Sequence, residues 1–249
     1  MDELVERFEP VSLEGLDERA ALMRRVDNKY AVESDQFASL LERLREDHQV
    51  LEIDGRRSFR YCSTYFDTPE LRCFVDHVED RQPRFKARTR LYVDSDHCVF
   101  EVKLKREGGE TDKRQLDHAV KDAERLTADA RECLEQALGD IGLSAPGEMA
   151  PTLLTQFSRI TLAAREGSER LTCDTGVRLS NPDGDAAEMR EGVILVETKS
   201  ERGESPADRA LSDVGVEPIS LSKYRVGMSL VGGGNRAPQP GAQWFRPMG

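Results

Sequence analysis

The most constraining feature of this chain is a nine-residue stretch in which a cation stands at every second position, from Arg84 to Tyr92. Successive side chains of a β-strand point to opposite faces. Arg84, Lys86, Arg88 and Arg90 therefore share one face, and the apolar and small residues between them share the other. Four neighbouring cations repel one another and are costly to desolvate. Such a strand needs its cationic face turned either to solvent or to a cavity that holds anions.

The same alternation recurs twice, at Glu101-Val-Lys103 and at Glu197-Thr-Lys199, each time after strands that carry arginines on one face. The turn residues 94–96 lie between the first of these segments and the cationic strand, which predicts a hairpin. Two such units favour an α+β fold. We predict a closed antiparallel β-barrel of about eight strands, which removes exposed sheet edges, with helices packed on the outside.

Helical spacing of apolar residues predicts helices over residues 34–48 and 121–138, and the turn-rich residues 180–192 predict an exposed loop. The Gly- and Pro-rich composition after residue 231 predicts a flexible tail. We expect three segments, namely a helical segment over residues 1–24 packed on the barrel, a barrel domain over 25–231, and a flexible C-terminal tail over 232–249.

Charge and composition exclude several classes of protein. A net charge of −11 argues against a nucleic-acid binder, because such proteins present a basic surface to phosphates. The N-terminus is too charged for a signal peptide, and no apolar run approaches the ~20 residues that span a bilayer. Five cysteines without metal-ligand spacing predict free thiols. We therefore expect a cytoplasmic protein without a transmembrane segment.

If the charged faces of the predicted strands turn inward, the barrel encloses a large excess of positive charge. The inward cations would be Lys29, Arg84, Lys86, Arg88, Arg90, Lys103, Lys105, Arg159, Arg170, Lys199 and Lys223, and the inward carboxylates Asp27, Glu101, Asp174 and Glu197. Arginine forks bind phosphate oxygens bidentately, so a chain of phosphates suits this lumen. The few carboxylates then suit Mg²⁺ or Mn²⁺ bound to those phosphates. The alternatives are a solvated strand face, and salt bridges for Glu101 and Glu197.

A set of short motifs in a fixed order resembles the vacuolar transporter chaperone (VTC) family of polyphosphate polymerases, within the triphosphate tunnel metalloenzymes. The motifs are Lys29-Tyr30, Ser63-Thr-Tyr65-Phe66-Asp67-Thr68, Arg88-Thr-Arg90-Leu-Tyr92, Glu101-Val-Lys103, Phe157-Ser-Arg159, Arg170-Leu-Thr-Cys-Asp174, Glu197-Thr-Lys199 and Ser222-Lys223-Tyr224. They cover about residues 20 to 228.

The resemblance implies a role for most of these charged residues. The implied contacts to the reacting phosphates are Arg88, Arg90, Lys103, Arg159 and Arg170, with further phosphate binding by Lys29, Ser222 and Lys223. Glu197 is the implied metal ligand and Glu101 a second candidate, while Arg84, Lys86, Lys105 and Lys199 share the phosphate-binding faces. Two departures stand out, because Phe157 replaces a tyrosine of the family pattern and Ser220 replaces a lysine.

The function implied by the resemblance is a phosphotransferase that makes inorganic polyphosphate from a nucleoside triphosphate with Mn²⁺ or Mg²⁺. Attack by a terminal phosphate oxygen on the γ-phosphorus needs no side-chain nucleophile. The alternatives are a metal-dependent triphosphate or polyphosphate hydrolase and a non-catalytic polyphosphate-binding module. The expected partners are the nucleotide and polyphosphate, and nucleic acid is not expected to bind. The sequence leaves open whether the chain has a membrane protein as a partner.

Overall fold

The protein is described here by a computed structural model that covers residues 2–20, 26–232 and 237–248. Residues 1 and 21–24 of the predicted helical segment, residue 25 of the predicted barrel domain, and residues 233–236 and 249 of the predicted tail lie outside the described residues. The helices are α1 Asp2–Val5, α2 Leu13–Ala20, α3 Ser34–Leu44, α4 Arg72–Val78, α5 Ala128–Gly139, α6 Pro206–Asp213 and α7 Lys223–Val231. The strands are β1 Glu9–Val11, β2 Val26–Glu33, β3 His48–Leu51, β4 Phe59–Asp67, β5 Arg84–Tyr92, β6 His97–Lys105, β7 Thr111–His118, β8 Ala150–Ala164, β9 Arg170–Ser180, β10 Ala186–Met189, β11 Val193–Ser200 and β12 Phe245–Met248.

One large antiparallel sheet organises the molecule. Eight of its strands follow the order β2-β11-β9-β8-β4-β5-β6-β7, each hydrogen-bonded to the next. The remaining strands branch from this path, because β8 and β9 are long enough to change partners along their length: β3 pairs with β8, β1 runs parallel to β3, and β10 joins β9 to β12. The predicted antiparallel sheet with outer helices is confirmed.

The sheet is curled but is not closed by backbone pairing. Within residues 26–232 no ladder joins β2 to β7, so these two strands are the ends of the path. The predicted antiparallel architecture with outer helices is present, and the path of backbone pairing runs from β2 to β7. β7 is suited to an edge position because exposed charged side chains such as Lys113 and Arg114 line it, and charged edges resist pairing with other strands.

Apolar residues between the cations pack outward and hold the helices on the sheet. Phe85 and Ala87 of β5 are buried in a core that also contains residues of α4, α5 and α7. A second core lies between the sheet and helices α3 and α6, with Phe37 and Leu211 fully buried. The two faces of β5 thus separate as the alternation predicts, with the apolar face towards the core.

Strand bending also shapes the sheet. The register between β8 and β9 shifts between Gln156 and Ser158, where β9 contains one more residue than β8. Gly176 lies in this bulge with φ +59°, a left-handed conformation that glycine adopts without steric cost. The bulge lets β9 pair with β10 at one end and with β11 at the other.

Three local predictions differ from the structure for reasons of long-range contact. The helix expected over 121–138 is a 3-10 turn at Val120–Asp122 followed by α5, because the Thr127 side chain caps α5 and starts it later. The loop expected over 180–192 contains β10. The tail expected to be flexible contains β12, which pairs with β10 and buries Phe245. Short-range patterns do not report such pairings.

The structure also contains elements at both ends of the chain that brace the sheet. β1 pairs in parallel with β3, and Arg57 Nη1 donates to the Val5 carbonyl at 2.6 Å and the Phe8 carbonyl at 3.1 Å. Val5 and Phe8 are buried against α3.

Among the described residues no helix is long and apolar enough to cross a membrane.

Candidate active site

The inward faces of the eight-strand path line one cavity of about 2640 Å³. Of the residues predicted from sequence, those on its wall are Lys29, Arg84, Lys86, Arg88, Arg90, Glu101, Lys103, Arg159, Arg170, Glu197, Lys199, Ser222 and Lys223. Lys105 is the exception, because it is not among the lining residues; its Nζ lies 3.7 Å from Asp80. Curling of the sheet brings together cations that the chain separates by almost two hundred residues.

Charge in the cavity is unevenly distributed. Of the charged residues that the sequence predicts on the inward strand faces, ten cations and four carboxylates line the cavity: Lys29, Arg84, Lys86, Arg88, Arg90, Lys103, Arg159, Arg170, Lys199 and Lys223 against Asp27, Glu101, Asp174 and Glu197. Further acidic residues belong to turns around the rim, among them Asp54, Asp80 and Asp94. The interior is therefore strongly cationic although the chain as a whole carries a net charge of −11.

Arg88 is held by a buried carboxylate on the neighbouring strand. It stands opposite Glu101 in the register of β5 and β6, and its Nε donates to Glu101 Oε2 at 2.6 Å. Its Nη1 donates to the Tyr65 hydroxyl at 2.8 Å. Burial raises the pKa of Glu101, but Arg88, Arg90 and Lys113 outweigh it and bring that pKa down to about 2. Glu101 is thus an ionised anchor for the arginine.

Both oxygens of Glu101 already accept hydrogen bonds or face cations. Oε1 accepts from Gln115 at 2.8 Å and lies 3.8 Å from Lys113 Nζ, while Oε2 lies 4.0 Å from Arg90 Nε. Its side chain is only 3% exposed. These contacts suit a residue that positions arginines. The role of Glu101 as a second metal ligand stays a prediction, and these contacts do not favour it.

Arg159 has an equivalent anchor on the other half of the sheet. Asp174 stands opposite it in β9 and accepts its Nε at 2.6 Å and its Nη2 at 2.8 Å, a bidentate pair. The same carboxylate accepts Lys223 Nζ at 2.5 Å. Burial raises the pKa of Asp174, but Arg159 and Lys223 lower it to about 2. One carboxylate thus orients two of the predicted phosphate ligands.

Glu197 lies between two lysines and remains open to the cavity. Its Oε1 is 3.6 Å from Lys29 Nζ and its Oε2 is 3.1 Å from Lys199 Nζ, and its side chain is 25% exposed. Burial raises the pKa of Glu197, but Lys199, Lys29 and Arg159 hold it well below its usual range. Burial lowers the pKa of Lys199 to about 8, against the opposing effect of Glu197. Glu197 is an ionised carboxylate at ordinary pH.

The residues fit a divalent metal only if the ligand supplies most of the coordination. A partly exposed carboxylate such as Glu197 is a hard oxygen donor of the kind that Mg²⁺ and Mn²⁺ prefer. Within the described ranges, however, no group of three or more His, Cys, Asp or Glu side chains could hold a metal by itself. A metal would therefore be held jointly by Glu197 and phosphate oxygens.

Lys86 and Lys103 form the least compensated part of the wall. They stand directly opposite each other in β5 and β6, and like charges in that position destabilise a sheet. Burial, together with the charges of Lys103, Arg88 and Arg84, lowers the pKa of Lys86 to about 7. Burial also lowers the pKa of Lys103. An anion between the two lysines would relieve this repulsion.

Aromatic rings form part of the same wall and lie beneath several cations. The Arg159 guanidinium is 5.2 Å from the Tyr61 ring centroid and 5.1 Å from that of Phe157, and Lys223 Nζ is 4.7 Å from that of Phe157. The Phe157 departure from the family pattern therefore keeps a ring under the cations, although it lacks the hydroxyl. Cation–π contacts hold such cations in place without neutralising them.

The second departure and the adjoining serine lie at the start of α7. Ser222 is the N-cap of that helix, with its hydroxyl accepting from the Arg225 backbone N–H at 3.4 Å. Ser220 accepts from Arg225 Nη2 at 3.0 Å. An arginine thus stands beside the position where the family pattern has a lysine, and Arg225 also lines the cavity.

Several cavity residues were missed by reading the sequence. They are Tyr61, Tyr65, His77, Lys113, Gln115 and Arg225. The alternation of β7, which puts Lys113 and Gln115 on one face, was a usable signal. His77 comes from α4, a helix too short to be recognised by periodicity, and its pKa is lowered to about 3 by burial and by Lys86 and Arg84.

An antiparallel sheet curled around a cationic cavity defines the class of tunnel-shaped phosphate-binding folds. The chain belongs to the VTC domain family, whose model matches residues 24–231. This confirms the resemblance drawn from the motifs. No curated protein sequence matches the chain.

Solved structures with a similar fold are more distant. HpAC1 from Hippeastrum, described as having a dominant triphosphatase activity, superposes with a TM-score of 0.54 at 17% identity, over 83% of this chain and 96% of its own. A conserved hypothetical protein from Pyrococcus furiosus gives a TM-score of 0.44 at 13% identity, over 81% of this chain and 99% of its own. The likeness to HpAC1 shows that the fold is shared.

Proposed function

We propose that this chain is a metal-dependent phosphotransferase that lengthens inorganic polyphosphate with the γ-phosphate of a nucleoside triphosphate. The observation that carries the proposal is that ten of the cations predicted on the inward faces line one cavity with only four predicted carboxylates, and that both halves of the sheet contribute them. Membership of the VTC domain family supports the same substrate class. Family membership supports the coarser statement that the chain is an enzyme acting on triphosphates or polyphosphate.

The arrangement suits phosphoryl transfer because that reaction needs positioning and charge stabilisation more than covalent chemistry. A terminal oxygen of the acceptor polyphosphate attacks the γ-phosphorus, and the bond to the β,γ-bridging oxygen breaks, so that nucleoside diphosphate leaves. Arg88 and Arg159 are anchored by Glu101 and Asp174 before any ligand binds. Donors fixed in advance stabilise charge in the transition state without reorganisation.

Glu197, together with phosphate oxygens, would hold a divalent metal, which would neutralise part of the charge of the bound phosphates. Glu197 would hold the metal, while Lys29 and Lys199, now paired with that carboxylate, would turn to phosphate oxygens. We assign Glu101 and Asp174 as positioning residues for the arginines. Mn²⁺ is the metal proposed first, with Mg²⁺ as the alternative.

A metal-dependent triphosphatase is the second candidate, because the related fold of HpAC1 is described with a dominant triphosphatase activity. It differs only in that water attacks the γ-phosphorus. A third reading is a module that binds polyphosphate without turnover. Incubation of the purified protein with ATP and Mn²⁺, followed by a polyphosphate-stained gel and a phosphate assay, separates the three. Long chains support the polymerase, free phosphate alone supports the hydrolase, and retained binding without either product supports the module.

The metal assignment is tested by Glu197→Gln, with Glu201→Gln at the exposed rim as the matched control. We expect Glu197→Gln to lose metal-dependent turnover while still binding inorganic tripolyphosphate without metal, because the cations remain. The control should keep both. Undiminished metal-dependent turnover in Glu197→Gln would remove the assignment.

We also propose that the protein works in the cytoplasm. All five cysteines are free, as expected in a reducing compartment. Nucleoside triphosphate and polyphosphate are the proposed partners.

A further inference from the structure

Residues 237–248 lie beyond the part of the chain that the family model matches, and they join helix α7 to the edge of the sheet. At one end β12 pairs with β10, and the Arg190 backbone N–H donates to the Trp244 carbonyl at 2.9 Å. At the other end the Gln239 backbone N–H donates to the Ser229 hydroxyl of α7 at 3.4 Å. We call residues 237–248 the C-terminal strap.

The strap shares an apolar core with α7. Ala242 and Phe245 are buried in the same core as Tyr224 and Met228 of that helix. Protein cores are closely packed, so a shift of one packed element is transmitted to its neighbour. The position of α7 against the sheet therefore depends in part on the strap.

Gly241 brings the strap directly against the residue that precedes the predicted phosphate ligands Ser222 and Lys223. A Cβ atom at Gly241 would lie 2.7 Å from Leu221 Cδ1 and 2.9 Å from its Cγ, closer than side-chain carbons approach one another. Gly241 also has φ +95°, in the left-handed region that favours glycine. The Leu221 side chain thus packs on the bare backbone of the strap.

This contact falls on a connection that has little structure of its own. Residues 216–222 contain no helix or strand, and the Ile219 backbone N–H fixes them to β2 by donating to the Lys29 carbonyl at 2.7 Å. Leu221 is buried and lines the cavity. Its packing on Gly241 is a second point of attachment, immediately before the start of α7.

The residues that follow this attachment need accurate placement. Lys223 Nζ donates to Asp174 at 2.5 Å and lies 4.7 Å from the Phe157 ring centroid. Ser222 is the N-cap that starts α7. Cationic donors stabilise developing charge only when they are held in place beforehand, and a misplacement of about 1 Å is enough to reduce their effect.

We propose that the C-terminal strap is a positioning element of the phosphate-binding wall, in which Gly241, through its packing against Leu221, sets the place of Ser222 and Lys223. The inference rests on the proposed function, since phosphate is the ligand that Lys223 would bind. None of residues 237–248 lines the cavity, so the strap acts only through α7 and the connection before it. The functional unit then extends beyond residues 24–231.

The test measures tripolyphosphate affinity by calorimetric titration of the full chain in EDTA. Gly241→Ala adds a methyl group that displaces Leu221. Gly142→Ala is the matched control, because Gly142 also has a positive φ of +71° but a Cβ there meets no atom within 4 Å. We expect Gly241→Ala to bind about 5- to 100-fold more weakly, up to the loss of one hydrogen bond to a charged group, and Gly142→Ala to bind within about twofold of the wild type.

A second comparison separates positioning from general loss of stability. If the strap acts through Lys223, Gly241→Ala should lose most of its effect on affinity in a Lys223→Met background, because effects on one contact are not additive. If Gly241→Ala does not fold, Leu221→Ala removes the same contact from the other side, with the same expectations in both backgrounds.

The remaining outcomes contradict the proposal. Unchanged affinity in Gly241→Ala, or equal weakening in Gly142→Ala, would overturn it. An undiminished effect of Gly241→Ala after Lys223→Met would also overturn it, because the strap would then act on another part of the wall. If the wild type does not bind tripolyphosphate, the proposed function itself fails, and the positioning role falls with it.

Discussion

Lys86 is the cation whose replacement tests the electrostatics of the cavity most directly. Burial, together with Lys103 opposite it and Arg88 and Arg84 beside it, lowers its pKa from 10.5 to about 7. A folded-state pKa below the unfolded value means that the folded protein binds this proton less tightly. The resulting cost to stability is fully present below pH 7 and fades as the pH rises through 10.5.

The size of that cost follows from the shift. One pKa unit corresponds to about 1.4 kcal/mol, so the charged Lys86 destabilises the folded protein by up to about 5 kcal/mol at or below pH 7. Water in the cavity screens part of this repulsion, which gives a working range of about 2–5 kcal/mol. Lys86→Met, which keeps the length of the side chain and removes its charge, should raise the free energy of unfolding by that amount.

Urea unfolding of wild type and Lys86→Met between pH 6.5 and 10, with and without tripolyphosphate, measures the effect. The excess stability of Lys86→Met should shrink as the pH rises, because the wild-type lysine loses its proton. Tripolyphosphate should stabilise the wild type more than the variant, since the ligand compensates the charge that the variant lacks. Lys105→Met is the matched control, because Lys105 pairs with Asp80 and an exposed pair contributes about 0–1 kcal/mol.

A single result would refute this reasoning. If Lys86→Met is less stable than the wild type at pH 7 without anion while Lys105→Met is near neutral, the lysine is compensated in the apo protein. The cavity would then not be organised around an anion at this position.

Three further predictions concern the other charged groups of the cavity. Asp174→Asn leaves Arg159 buried without its carboxylate and should lower the free energy of unfolding by about 3–5 kcal/mol, as measured by urea unfolding. Tripolyphosphate should restore part of this stability, and an unchanged free energy of unfolding would contradict the anchoring role of Asp174. Tripolyphosphate binding at pH 8 should be accompanied by uptake of about one proton, because the bound anion raises the lowered pKa values of Lys86 and Lys199. Calorimetric titration in buffers of different ionisation enthalpy measures this uptake, and proton release on binding would contradict the prediction. Glu101→Gln should weaken tripolyphosphate binding without metal, because the arginine loses its anchor; a selective loss of metal binding would restore Glu101 as a metal ligand.

The sequence predicts the structure best where local alternation of residues decides which face of a strand a side chain occupies. The two faces of β5 separate as predicted, since side-chain direction in a strand has a period of two whatever the strand pairs with. The motif order was likewise sufficient to recognise the VTC domain family. Cations at alternate positions of several strands predicted an inner wall that binds anions, and twelve of the thirteen cationic and acidic residues predicted for the site line the cavity.

The tertiary structure decided what depends on contacts between distant parts of the chain. Lys105 lies on the predicted face but does not line the cavity, and β12 pairs with β10, a strand far from it in the sequence. Glu101 and Glu197 look alike in sequence, each two residues before a lysine. One is enclosed by arginines and the other remains open to the cavity, because their neighbours come from different strands of the curled sheet. The sequence by itself determined which residues could face an anion, and the folding of the sheet determined which carboxylates anchor cations and which one is open to a metal.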